Sequence, residues 1–141
     1  MNSAKAELME VRRLCLKIYQ LTREKEALLG ITKKISLNER VQTSAGNGGI
    51  EAVVVERERI QKNIDKTLSV YMDKRQQIID RIHKTEKEAY IQVLYKRYIE
   101  GKKFEEIKRE MHYEVSYIRK LHCKALKVYA RIIENGEGYN D

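Results

Sequence analysis

The sequence predicts an all-α fold: a long antiparallel helical hairpin of coiled-coil type, followed by a three-helix helix-turn-helix module. Three observations predict it. The 141 residues include no Pro, the residue that breaks helix interiors at a cost of about 3 kcal/mol. Apolar side chains recur at three- and four-residue steps along most of the chain, the mark of one apolar helix stripe. Charged residues make up 35% and apolar residues 42%, a balance close to that of helical bundles.

The first helix is expected over residues 3–29, with Leu8, Val11, Leu14 or Cys15, Ile18, Leu21 and Leu28 on its stripe and Lys25 interrupting it. Gly30 is the expected stop, because Gly accepts the left-handed conformation beyond a helix end. Residues 30–50 lose the periodicity, and Gly46-Asn47-Gly48-Gly49 reads as a hinge within a linker. A second long helix is expected over 51–82 on Val54, Ile60, Ile64, Leu68, Tyr71, Ile78 and Ile82. Two narrow stripes of this length need each other, within one chain or between chains. Residues 1–83 therefore read as a unit for self-association, a dimer being favoured, through residues 3–29 and 51–82.

Three shorter helices follow over 84–134. Thr85 is placed to cap the first, with Glu86 and Glu88 at its positive end. Ile91, Leu94, Tyr95 and Tyr98 form its stripe, and Gly101 ends it. Phe104, Ile107 and Met111 mark a short second helix, and Val115 to Ile133 a third. Residues 135–141 read as a flexible tail.

The net charge of +8 points to an acidic partner. It is spread thinly except in one place. Between Val115 and Ile133 stand Arg119, Lys120, Lys124, Lys127 and Arg131 with no acidic residue. Ile107, Met111, Tyr113, Ile118 and Leu121 fall at offsets 0, 4, 6, 11 and 14. That spacing suits the buried set of a helix-turn-helix: a support helix, a turn, and the inner face of a recognition helix. Apolar spacing, segment lengths and charge sign agree on duplex DNA as the partner. A division of labour follows. Ser116, Tyr117, Arg119 and Lys120 are expected at base edges in the major groove, Arg119 being the best bidentate donor to guanine. Lys102, Lys103, Lys124 and Lys127 are expected on phosphates.

Other chemistries find little footing. His122 and Cys123 are adjacent, so on a helix they point about 100° apart and cannot share an ion. No nucleophile has a base beside it in the pattern, and the Gly-rich stretch lacks the Lys-Ser/Thr of a phosphate loop. Neither enzyme activity, metal nor cofactor is expected. No apolar run approaches the 18 residues of a spanning helix, and Met1 to Glu7 lacks the apolar core of a secretory signal. Two isolated cysteines suit a reducing compartment, so the cytoplasm is the expected location.

The stretch Val93-Leu94-Tyr95-Lys96-Arg97-Tyr98-Ile99-Glu100-Gly101-Lys102-Lys103-Phe104-Glu105-Glu106-Ile107 resembles the promoter-recognition (region 4) module of bacterial sigma factors. The whole chain is more similar still to small phage and prophage proteins of Gram-positive bacteria. Val41-Gln42-Thr43-Ser44 and Lys120-Leu121-His122-Cys123-Lys124-Ala125-Leu126 stand where those proteins carry a linker motif and a closing helix motif. The resemblance implies a transcriptional regulator. The alternatives are a phage DNA-packaging protein of the small-terminase kind, and a sigma-like protein that docks on RNA polymerase without reading DNA. Two positions depart from the module: Lys108 replaces a small residue, and His112 replaces the turn Gly.

Overall fold

The computed structural model describes residues 2–39 and 47–139. The regular structure of the described residues is all helix, with no strand: α1 (Asn2–Glu39), α2 (Asn47–His83), α3 (Glu88–Leu94), one π-helical turn (Tyr95–Ile99), α4 (Phe104–Met111) and α5 (Val115–Tyr139). No helix among them is long and apolar enough to cross a membrane.

Three expected boundaries are corrected. Gly30 does not stop α1, which runs on to Glu39. An interior Gly costs about 1 kcal/mol, but each further residue of a formed helix adds a backbone bond. Thr22 and Thr32, poor helix formers, donate their hydroxyls to the carbonyls of Ile18 and Leu28 at 2.8 and 2.9 Å. The linker 30–50 thus shrinks: Asn47, Gly48 and Gly49 already belong to α2, while Arg40 to Gly46 fall outside the described residues. At the other end α5 continues through Asn135 and Gly136 to Tyr139, so most of the expected flexible tail is helix.

Thr85 is a further correction. It does not cap α3. Its hydroxyl donates back to the carbonyl of Ile82 at 2.6 Å and closes the end of α2. Glu86 beside it takes a positive φ of 68°, leaving Lys87 as the residue before α3.

The chain divides into two compact units, residues 14–70 and residues 1–13 with 71–141. This division does not coincide with the expected boundary after residue 83. The module's helices leave an apolar face that they cannot cover alone. Ala4, Leu8 and Val11 of α1 and Ile78 and Ile82 of α2 share one buried cluster with Val93, Leu94, Ile107, Ile118, Leu121 and Tyr129. Glu7 anchors this seam: its carboxylate pairs with Arg81 and lies 3.7 Å from Lys74.

In the unit 14–70, Leu14 and Ile60 are buried, and Cys15 is exposed. Lys25, which interrupts the apolar stripe, hydrogen-bonds Gln61 of α2. Val54 and Leu68, expected on the stripe of α2, are exposed instead, and Thr67 takes a buried place.

Candidate nucleic-acid interface

The C-terminal helices are set by their backbone endings. The π-helical turn closes with Glu100 N–H donating to Tyr95 C=O at 3.0 Å and Lys102 N–H to Lys96 C=O at 2.9 Å. Gly101 then reverses the chain at φ 71°. Here glycine is needed, because an added Cβ is disfavoured in that region. α4 begins with Glu105 and Glu106 in its first turn, suited to the positive helix end.

α4 ends at His112, which adopts the left-handed conformation at φ 61°, ψ 41°. The turn of the candidate helix-turn-helix therefore has the geometry that glycine usually supplies, with a histidine in its place. The His112 side chain is exposed, so no packing offsets the backbone cost. Replacing His112 by Gly is expected to raise stability by about 0.5–1 kcal/mol, read as a higher midpoint in urea. A lower midpoint would show that the imidazole holds the turn.

Of the predicted core, Ile107, Ile118 and Leu121 are buried and Met111 packs half-buried against them. Tyr113 is a correction. It is 43% exposed and its ring lies 4.7 Å from that of Tyr117. The left-handed turn directs the chain outward at that point, so offset along the sequence did not translate into burial. Tyr98 and His122 are buried, stack at 5.6 Å and share a 2.6 Å hydrogen bond. Phe104 meets the same imidazole edge-on at 5.2 Å.

Burial of His122, and then the nearby charges of Arg97 and Lys5, push its pKa from 6.5 down to about 4. Above pH 6.5 the ring is neutral in both folded and unfolded chains. Between about 6.5 and about 4 the unfolded chain binds a proton that the folded chain refuses, so stability falls as pH falls. The expected loss is about 2–3 kcal/mol across that window, measured by urea unfolding at pH 7 and pH 4.5. A His122→Gln variant should lose less over the same range. Equal losses would refute the assignment.

The predicted DNA-contacting residues separate into three groups. Ser116, Lys120, Lys124 and Lys127 are exposed on the outer side of α5, and Arg131 extends the series. Lys120, Lys124, Lys127 and Arg131 recur at steps of four, three and four, which puts them on one face. Tyr117 is exposed but paired with Tyr113. Arg119 is exposed and leans to one side, its guanidinium 6.0 Å over the Phe104 ring.

The support-helix lysines differ from each other. Lys103 is exposed at the start of α4. Lys102, expected on phosphate, is engaged by two carboxylates. Its ammonium lies 2.7 Å from Glu100 and 2.5 Å from Glu110, and these carboxylates raise its pKa. Lys96 joins Glu110 at 3.4 Å. The sequence placed Lys102 beside Glu100 but could not show that α4 returns Glu110 to it.

Arg97 went unassigned in the sequence. It sits 4.4 Å over Phe104 and its guanidinium donates to the carbonyl of Lys102 at 3.1 Å, bracing the turn into α4. Only its place beside the buried Tyr98 could have suggested this. No protein-family model, curated protein or solved structure matches the chain.

Proposed function

We propose that this chain is a phage- or prophage-encoded transcriptional regulator that binds duplex DNA with α5 in the major groove. One observation supports DNA binding above all: the exposed face of α5 carries Lys120, Lys124, Lys127 and Arg131, with no acidic residue from Val115 to Ile133. The eleven helical steps from Lys120 to Arg131 make this stripe about 17 Å long, and the major groove, about 12 Å wide, admits a helix. In this reading α4 is the support helix, His112 the turn and α5 the recognition helix of a sigma region 4-like arrangement. The phage origin and the transcriptional role rest on the sequence resemblance.

The long helices serve association. Within residues 1–13 and 71–141 Glu7 of α1 meets Arg81 of α2, and within residues 14–70 Lys25 meets Gln61. Exposed Leu16, Tyr19 and Val55 leave apolar surface for a second copy.

Within the recognition helix, Arg119→Ala is expected to weaken binding to a selected duplex by roughly 1–3 kcal/mol and to relax one base position. Selection from a random duplex pool, followed by titration of both proteins, measures this. Unchanged affinity and unchanged preference would remove Arg119 from base reading. Discrete peaks in a genome-wide immunoprecipitation of the tagged protein are expected in the host.

A second reading has one observation in its favour. Lys102 is engaged by Glu100 and Glu110, and Glu105, Glu106 and Glu114 are exposed around α4. That mixed surface suits a sigma-like protein that docks on RNA polymerase and does not read DNA. Immunoprecipitation peaks that vanish when transcription initiation is blocked would favour it.

A further inference from the structure

A groove of about 620 Å³ opens in the unit formed by residues 1–13 and 71–141, on the side of α5 that carries Arg119 and Cys123. Its charge is of one sign. Lys5 from α1, Arg97 from the π-helical turn and Arg119 from α5 all line it. Among the described residues none of these cations forms an ion pair. Two guanidinium groups are gathered on one ring, Arg97 at 4.4 Å and Arg119 at 6.0 Å from Phe104. Like charges brought together repel unless an anion joins them.

The remaining wall is apolar. Met9 and Leu126 lie there with the Phe104 ring. His122, on the same wall, senses the field: Arg97 and Lys5 both disfavour its protonation. Arg97 spends one donor on the carbonyl of Lys102, which leaves the rest of its planar fork for a ligand. The volume falls within the range of small-molecule sites, roughly 300–1,000 Å³. A planar fork over an aromatic ring favours a carboxylate joined to a flat apolar body over a bare inorganic anion.

We infer that this groove binds a small aromatic carboxylate, its anionic head held by Arg97 and Arg119 beside Lys5 and its ring lying on Met9, Phe104 and Leu126. The site stands whether or not α5 reads DNA, since every measurement below is made without DNA.

The probe is 1-naphthoate, with 1-naphthylmethanol as its uncharged counterpart and inorganic phosphate as the bare anion. Cys123 lies exposed on the groove, and Cys15 is the only other cysteine. A full-length Cys15→Ser protein therefore reports on the groove through alkylation of Cys123 by iodoacetamide. Saturable calorimetric binding of 1-naphthoate and slowed alkylation are expected, with the alcohol binding at least about tenfold more weakly and phosphate giving no protection. Lys5→Gln and Arg119→Gln change exposed side chains. Each should weaken 1-naphthoate about tenfold, as expected for one lost charge-assisted hydrogen bond, with the helical circular dichroism and Tm retained. Absence of saturable binding, equal binding of the alcohol, or unaltered affinity in both variants would overturn the proposal.

Discussion

Replacing Lys120, Lys124, Lys127 and Arg131 together by Gln is expected to lower affinity for duplex DNA by about 10³-fold near 0.15 M salt. Each phosphate neutralised by a cation releases condensed counterions and contributes about 0.9 to the slope of log affinity against log salt. Four such contacts amount to a slope change between about three and four, which at this salt concentration corresponds to the stated loss. All four side chains are exposed and none joins an ion pair among the described residues. The folded state should therefore be retained, and circular dichroism with urea unfolding checks that separately. The fluorescence titration is run at several salt concentrations. If the variant keeps its affinity and its slope, the outer face of α5 is not the DNA surface.

The largest stability effect is expected at Ile118. Its side chain is wholly buried, in the cluster where α5 meets α3 and α4. Ile118→Ala removes three carbons from that site, and rigid neighbours cannot fully close the space. A loss of about 2–5 kcal/mol follows. That is a large share of the 5–15 kcal/mol that stabilises a typical domain. Tyr113→Ala provides the contrast. Both residues occupy the apolar spacing of a helix-turn-helix core, but Tyr113 is 43% exposed, so its removal should stay within about 0.5 kcal/mol. Urea midpoints at constant m separate the two cases. Equal destabilisation would mean that Tyr113 is buried in solution.

What could be read in the sequence was whatever depends on local period and backbone conformation. Ile107, Ile118 and Leu121 are buried where the helical period put them, and Gly101 turns the chain where the helix was expected to end. The outer face of α5 was legible for the same reason, since residues on one helix face recur at three and four. Helix ends were less legible. Gly30 and the Asn47-Gly48-Gly49 stretch read as breaks because glycine is a poor helix former, but helix propagation carries α1 and α2 through them.

Long-range pairing left no local mark. Nothing in the pattern of Ala4, Leu8 and Val11 showed that they would cover the core of a module beginning some eighty residues later. Lys102 illustrates the same limit on the surface. Its partner Glu110 is eight residues away, beyond the three- and four-residue neighbours that a helix brings together. The groove beneath Arg97 and Arg119 is also tertiary, since its cations come from α1, the π-helical turn and α5.

Titration of the full-length chain with a random-sequence duplex across a salt series tests DNA binding most directly. Tight binding at low salt is predicted, with log affinity falling linearly against log salt at a slope of about −4 or steeper. No binding at low salt, or an affinity that stays flat as salt rises, would contradict DNA recognition by α5.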